Sequence, residues 1–379
     1  MRYHTPLVSR IVVSIAHDRE LTTVHDRSVV RPNVDTLYST ILINLSADDL
    51  MVDLPVVDDR YWVSPFYDIY RNQYYLVRYA RAVDKEPGVP LCIQSTTEQG
   101  GCEYGIIGFI TAPTPYGLTL PHLALKNNGT DLTTVHATQD NKSVQTRARD
   151  NRYAPPLTLG MLNASLSTDP VTRILELTAR IALYNPPRNI SDSPRVNSTL
   201  EAAGIRDGEH QQQIRDLEPI AVAAQSSVMA EFNPPGNVMT LQNGWQQLTP
   251  EVQGDFGTNY NMRTFAAGWG NLVLRASASL YPITEPIIEQ NGFWSLTAYG
   301  PDRFLILNSL NRTPVYGNDS SADVALSEEW MSHWLPASAG GGDMNVTPRL
   351  YALSDELSSG GWTFPQVEKI QAISARGIR

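Results

Sequence analysis

The sequence predicts a mainly β fold of the α+β class, with two β-sandwich or jelly-roll-like domains joined by a helical connector. Three observations carry this. Short runs rich in Val, Ile, Tyr and Trp, separated by clusters of turn residues, fill the stretch from Thr36 to Phe109. Helical spacing replaces them between Asp169 and Phe232, and strand texture returns from Phe293 onward. A chain of 379 residues accommodates two domains, each with its own core. The expected boundaries are 1–150 for an N-terminal β-rich domain, 151–245 for the connector and 246–379 for a C-terminal β-rich domain.

In the first part, Ser46-Ala47-Asp48-Asp49, Val57-Asp58-Asp59-Arg60 and Glu86-Pro87-Gly88 punctuate the apolar runs. Residues 61–70 and 73–79 read as neighbouring antiparallel strands, and 105–111 as another. The period then changes. Asp169-Pro170 is a helix start, and Val171, Ile174, Leu175, Leu177, Ile181 and Ala182 keep helical spacing until Asn185-Pro186-Pro187 stops it. Residues 209–232 carry one internal proline, Pro219, and are expected to form two helices meeting near Leu217. A further helix is expected over 260–280. Residues 293–299, 304–307, 345–352 and 367–373 read as strands of the second domain. No repeat of fixed period is visible.

Apolar residues make up 42% of the chain and charged residues 18%, with 26 prolines and 25 glycines, which describes an ordered, turn-rich globular protein. A net charge of -10, without a cluster of Lys and Arg, argues against nucleic acid as a partner and against anionic membrane surfaces. The longest apolar runs, 11–16 and 105–110, fall far short of the roughly 20 residues of a membrane helix, so no membrane span is expected.

Met1-Arg2-Tyr3 leads into charges at Arg10, Asp18, Arg19 and Glu20, which is not the pattern of a secretory leader. The sequons point the other way. Asn-X-Ser/Thr occurs nine times, and while Asn44 lies in a strand-like run, Asn128, Asn141, Asn163, Asn189, Asn197, Asn311, Asn318 and Asn345 are candidate glycosylation sites. The expectation is a protein of the secretory pathway whose leader is not part of this chain. The two cysteines, Cys92 and Cys102, flank the turn signal Gln99-Gly100-Gly101. In an oxidising compartment they are expected to form a disulfide contributing about 2–3 kcal/mol; the alternative is two small buried apolar side chains.

The sequence has no Gly-X-Ser-X-Gly elbow, His-Glu-X-X-His, P-loop or Gly-X-Gly-X-X-Gly, so no cofactor is expected. The seven histidines show no metal-ligand spacing, and no metal site is expected. Two segments stand out instead. In Arg31 to Ser39, an extended backbone would put Arg31, Asn33 and Asp35 on one side. Such a face either orients a ligand carboxyl or hydroxyl, or braces a domain junction with charge-assisted hydrogen bonds. Phe293 to Tyr299 mixes aromatic residues that want burial with groups costly to bury unpaired, and so reads as a place where packed core meets a polar pocket or a hydrogen-bonded junction. Trp294, Trp334 and Trp362 read either as core rings or as stacking platforms, and Arg312 and Arg349, in apolar strand contexts, need partners that Asp35 or Asp68 can supply.

These residues carry a resemblance. Tyr3-His4-Thr5-Pro6-Leu7-Val8, Asp26 through Ser39, Arg60-Tyr61-Trp62 and Tyr67-Asp68 are similar to the first-half signature of a two-part family of exported proteins of bacteria and fungi, catalogued as uncharacterised domain 1254. Phe293 through Tyr299, Asn308, Asn311-Arg312, Trp334-Leu335-Pro336-Ala337, Arg349-Leu350-Tyr351, Trp362 and Pro365 resemble its second half, uncharacterised domain 1214. The resemblance implies two β-rich domains joined by helices, exported in most members, and closest in character to fungal members. The chain departs from the pattern in running from Ile288 almost directly into Phe293, and from Asn311-Arg312 into Thr313-Pro314, which implies a diverged and shortened member.

The functional expectation is a secreted enzyme that acts without cofactor on a small organic molecule, a hydrolase, lyase or isomerase with a place in secondary metabolism. Asp35 and Asp68 are its candidate acid–base residues, and Arg31, Asn33, Tyr38, Tyr67, Trp294, Arg312 and Trp334 its candidate substrate contacts, gathered in a cleft at the domain junction. The alternative is a non-catalytic binding protein for a carbohydrate or apolar metabolite. In both readings the partner is a small-molecule ligand, and oligomeric state is left open.

Overall fold

The computed structural model describes residues 15–55, 57–78, 89–95, 108–126, 131–148, 154–163, 165–211, 216–232, 236–269, 288–307, 314–317, 344–353 and 363–364. It is mainly β with several helices. The N-terminal part builds two sheets from β1 (Ile15–His17), β2 (Thr36–Asn44), β3 (Asp48–Leu54), β4 (Trp62–Asp68), β5 (Gln73–Arg78), β6 (Val89–Ser95), β7 (Gly108–Ala112), β8 (Tyr116–Thr119), β9 (His122–Ala124) and β10 (Ser143–Ala148). One sheet runs β1-β2-β8-β4-β5, with β9 paired to both β2 and β4; the other runs β10-β3-β6-β7. All pairs are antiparallel except β6 with β7.

Alternation explains the packing. Along β2, Leu37, Ile41 and Ile43 are buried on one face. Ile41, Ile43 and Leu45 meet Leu50 and Val52 of the second sheet, together with Phe66, Ile110 and Ala112, in one core cluster. The expected pair 61–70 and 73–79 is β4 with β5, antiparallel, with an irregularity between Phe66 and Tyr67.

Helix α1 (Leu132–Asp140), which the sequence reading did not anticipate, places Val135 against Leu37 and Leu123. Its pattern is too short and polar to announce itself. Beyond it come α2 (Leu159–Asn163), α3 (Pro170–Ala182) and α4 (Ser193–Ala202). The helix start at Asp169 is as expected: its side chain accepts from the Thr172 amide at 2.7 Å. The expectation of two helices in 209–232 needs correction. Glu209-His210 is strand β12, paired with β11 (Ile205–Arg206), and one helix, α5 (Glu218–Phe232), follows with Pro219 in its first turn, where the missing amide proton costs nothing.

A small hairpin of β13 (Val238–Thr240) and β14 (Gln246–Leu248) precedes α6 (Tyr260–Trp269). The C-terminal sheet has β15 (Ile288–Tyr299) at its centre, flanked by β16 (Pro314–Gly317) and β17 (Asn345–Leu353). The stretch 304–307 is not a strand; it contributes a single bridge, Leu305 to Tyr299. The strand expected at 367–373 lies outside the described residues. No described helix is long and apolar enough to cross a membrane.

Candidate functional site

The C-terminal sheet has two unlike faces. Trp294, Leu296 and Ala298 of β15 and Val346 of β17 pack with Trp245, Ile306 and Met344. The alternate residues form the other face, where cross-strand partners are Phe293 with Tyr351, Ser295 with Arg349, Thr297 with Thr347 and Tyr299 with Asn345. This face is polar, yet Ser295, Thr297 and Tyr299 are each 0% exposed. What buries it is the segment leading into β2.

That segment is not extended as expected. Arg31 has φ 47°, and Asn33 makes a local turn in which its Oδ1 accepts from the Asp35 and Thr36 amides at 2.7 and 3.2 Å. Asparagine favours this closed shape over a strand because its side chain mimics a backbone carbonyl. The turn delivers Asn33 and Asp35 to the polar face. The Tyr351 hydroxyl donates to Asp35 Oδ2 at 2.7 Å and accepts from Asn33 Nδ2 at 3.0 Å, while Ser295 Oγ donates to the same Oδ2 at 2.6 Å. Among the described residues nothing donates to Asp35 Oδ1, although the residue is only 2% exposed.

Arg349 completes the junction. Its Nη2 donates to the Tyr299 hydroxyl at 2.5 Å and to the carbonyls of Pro32 and Arg31 at 3.3 and 3.4 Å, and Nη1 reaches Thr297 Oγ1 at 3.1 Å. Tyr299 in turn donates to the Pro32 carbonyl at 2.7 Å. The expected Arg349 carboxylate salt bridge is thus replaced by carbonyls and hydroxyls; no such pair occurs among the described residues. Burial works against the Arg349 charge, but Tyr299, Tyr351 and Asp35 outweigh it and hold the guanidinium protonated. Burial, then the Asp35 charge, pushes the Tyr351 phenol well up, so it stays a neutral donor. The Phe293 and Tyr351 rings stack at 4.2 Å, with Tyr61 edge-on to both.

The other expected site residues divide. Arg31 is buried at the junction, and burial, then the neighbouring Arg303 charge, lowers it to about 10; its amide donates to the Arg303 carbonyl at 2.7 Å. Tyr38 packs on His122 at 3.8 Å between centroids, and burial raises its phenol. Tyr67, half-buried, is raised for the same reason. Asp68 serves a different end. Asn72 occupies both its oxygens, from the backbone at 2.8 Å and from Nδ2 at 2.7 Å, closing the turn between β4 and β5. No hydrogen bond among the described residues connects it to Asp35. Trp294 is out of phase with Ser295 in β15 and lies on the opposite face of the sheet, packed with Trp245 and Met344. Arg312 and Trp334 lie outside the described residues.

The same holds for Cys102, and so for the disulfide; Cys92 lies in β6 opposite Met51. Asn141, Asn163, Asn189 and Asn197 are exposed, whereas Asn345 is 4% exposed in β17 and leaves no room for a glycan. Asn128, Asn311 and Asn318 lie outside the described residues. The described residues contain no group of three or more His, Cys, Asp or Glu able to hold a metal.

Ser295, Tyr299 and Tyr351 were missed as site residues. The signal was present in the period-two phase of Ser295, Thr297 and Tyr299 against Trp294, Leu296 and Ala298, which marks a polar face on a strand that is buried on both sides.

The fold and junction define a mainly β protein in which the segment leading into β2 and the C-terminal sheet share a buried polar interface. Residues 12–146 match the family described as Protein of unknown function (DUF1254), and residues 270–354 that described as Protein of unknown function (DUF1214), so the chain carries both of these uncharacterised domains. No curated protein matches it. It is similar in fold to the crystal structure of the VPA0106 protein from Vibrio parahaemolyticus, with a TM-score of 0.55, 16% identity, and 90% of each chain covered. An uncharacterised protein from Burkholderia cenocepacia gives a TM-score of 0.40 at 10% identity, over 90% of this chain and 77% of that one.

Proposed function

We propose that the protein is an enzyme that works on a small organic molecule without a dissociable cofactor, with Asp35 as its acid–base group. The observation that carries this is Oδ1 of Asp35: a buried carboxylate oxygen without a donor among the described residues, on a side chain whose other oxygen is clamped by Ser295 and Tyr351. An unsatisfied buried acceptor costs about 1–3 kcal/mol, and a ligand hydroxyl or N–H would relieve it. The clamp fixes the carboxyl for proton exchange with that donor, and the Arg349 guanidinium, bound only by neutral acceptors among its hydrogen bonds, offsets negative charge that develops nearby. The substrate class is therefore a small molecule that presents a hydroxyl or amine, in a hydrolysis, elimination or isomerisation. A binding protein is the second reading, favoured by the stacked Phe293 and Tyr351 rings with Tyr61 against them. We also retain the secretory-pathway reading, which rests on the exposed sequons.

Asp35→Asn separates these. The amide oxygen can still accept from Ser295 and Tyr351, while Nδ2 replaces the free acceptor with a donor. Incubated with a metabolite extract and followed by untargeted mass spectrometry, the wild-type protein should deplete at least one small molecule and Asp35→Asn should not, with melting temperature unchanged. Retention without depletion by the wild type selects the binding protein. Unfolding of Asp35→Asn, or undiminished turnover, marks Asp35 as a brace.

A further inference from the structure

A second cluster lies on β2 away from the Asp35 junction. Ser39, 0% exposed, faces His17 directly across the β1 and β2 ladder, and His17 Nδ1 is 2.8 Å from Ser39 Oγ. Lys142 Nζ donates to the same Oγ at 3.4 Å, from a side chain only 8% exposed. The local fold explains why the lysine points inward. Lys142 follows the end of α1, and Gln139 in the last turn of that helix donates to the carbonyls of Asp18 and Tyr38, both at 3.1 Å, anchoring the helix end over β1 and β2.

Buried lysines are ordinarily matched to a carboxylate. Among the described residues, none forms an ion pair with Lys142. The nearby Asp140 is taken by Arg19, which also donates to the His136 carbonyl at 3.3 Å and to Gln139 Oε1 at 3.4 Å. The titratable groups around the cluster are His17 on β1, which feels the charges of Arg19, Lys142 and the opposing Asp140, and His122 on β9, which packs on Tyr38 on the other side of the ladder and feels Lys142. Desolvation lowers His17 to about 4, helped by Arg19 and Lys142, and lowers His122 to about 3, helped by Lys142, so both imidazoles are neutral at physiological pH. Burial also brings the Lys142 ammonium down to about 8, leaving a sizeable fraction as free amine.

We propose that Lys142 is a nucleophilic amine that condenses with a small aldehyde or ketone, with Ser39 and His17 relaying its protons. As an ammonium, Lys142 can only donate to Ser39, which frees the Ser39 proton to point at His17 Nδ1; a hydroxyl so placed passes the ammonium proton on to the imidazole and leaves the amine lone pair free to attack. In the reaction the Lys142 nitrogen forms a bond to the carbonyl carbon, the carbonyl oxygen leaves as water with the two amine hydrogens, and a C=N bond remains. No oxidant or reductant is consumed. Ser39 is 0% and Lys142 8% exposed while His17 is half-buried, so a carbonyl compound that reaches the amine past His17 is small.

The chain has four lysines, Lys85, Lys126, Lys142 and Lys369, so site mapping is direct. The folded protein is treated with acetaldehyde and sodium cyanoborohydride, and peptide mass spectrometry follows each lysine with time. Lys142 should be alkylated at least ten-fold faster than Lys126, which is ion-paired with Asp58 and Asp59. The rate at Lys142 should rise through pH 8, and the preference should vanish in urea. Ser39→Ala, checked for folding by circular dichroism, should slow Lys142 several-fold and leave Lys126 unchanged; His17→Gln should do the same and stands in if Ser39→Ala fails to fold. Labelling of Lys142 no faster than Lys126, or a rate indifferent to both substitutions, overturns the proposal.

Discussion

Tyr351 makes two hydrogen bonds through one hydroxyl, giving to Asp35 and taking from Asn33. Tyr351→Phe keeps the stacked ring but leaves the Asn33 amide short of an acceptor and Asp35 with Ser295 alone. Each abandoned buried group costs about 1–3 kcal/mol, so urea denaturation should show a stability loss of about 2–6 kcal/mol, with the slope unchanged. A loss below about 0.5 kcal/mol would mean the hydroxyl is solvated rather than buried. The same reasoning assigns Arg60 a structural part. It is 2% exposed, pairs with Asp58 and Asp131, and donates to the Ala124 carbonyl at 2.9 Å, holding β9 beside the start of β4. Residue chemistry alone could not tell Asp35 from Asp68, since both sit near rings and amides in the sequence. Their partners tell them apart: Asp68 has both oxygens filled from within its own turn, and Asp35 has one filled from a strand 260 residues away and one without a donor among the described residues.

Among the elements, β8 shows how backbone spacing constrains composition. It lies between β2 and β4, and a Cβ on Gly117 would stand 2.4 Å from the Tyr67 carbonyl oxygen, well inside contact distance. Gly117→Ala must push β4 away at the irregularity between Phe66 and Tyr67, with an expected cost of about 1–3 kcal/mol and a melting temperature lowered by several degrees. An unchanged melting temperature would mean that β4 yields freely there. Elements with a strong period or a cap were legible in advance: α3 from Asp169-Pro170, β4 and β5 from alternating apolar runs, β17 from 345–352. Those without were not. Helix α1 has little amphipathic character and is held by Gln139 and Val135, contacts that come from distant strands. The strand read into 304–307 fails because a buried apolar run needs a ladder partner, and among the described residues Leu305 bridges only to Tyr299.

At the level of the whole molecule, the junction ties the Arg31 to Asp35 segment to the C-terminal sheet through the Arg31 and Pro32 carbonyls, the Asn33 side-chain amide and Oδ2 of Asp35. Val24 and Val34 add an apolar contact with Tyr299 and Leu305, and Arg27 pairs with Asp302 at 2.7 Å while lying over the Phe304 ring. If the secretory reading holds, protein from a eukaryotic host should carry glycans at some of Asn141, Asn163, Asn189 and Asn197, detected by intact mass and site mapping, and none at Asn345. Absence of any glycan mass would remove that reading.

The amino-acid sequence by itself determined the β-rich character, the helical stretch between, the two uncharacterised domains, and the two segments that matter most. Period and composition suffice for these because alternation, capping and turn chemistry act over a few residues. Only the tertiary structure decided that Asn33 turns rather than extends, that Ser295 and not Trp294 faces Asp35, and that Lys142 is buried beside Ser39. Those outcomes depend on which face of a strand meets which distant segment, and burial of a polar group is a property of its surroundings rather than of its neighbours in the chain.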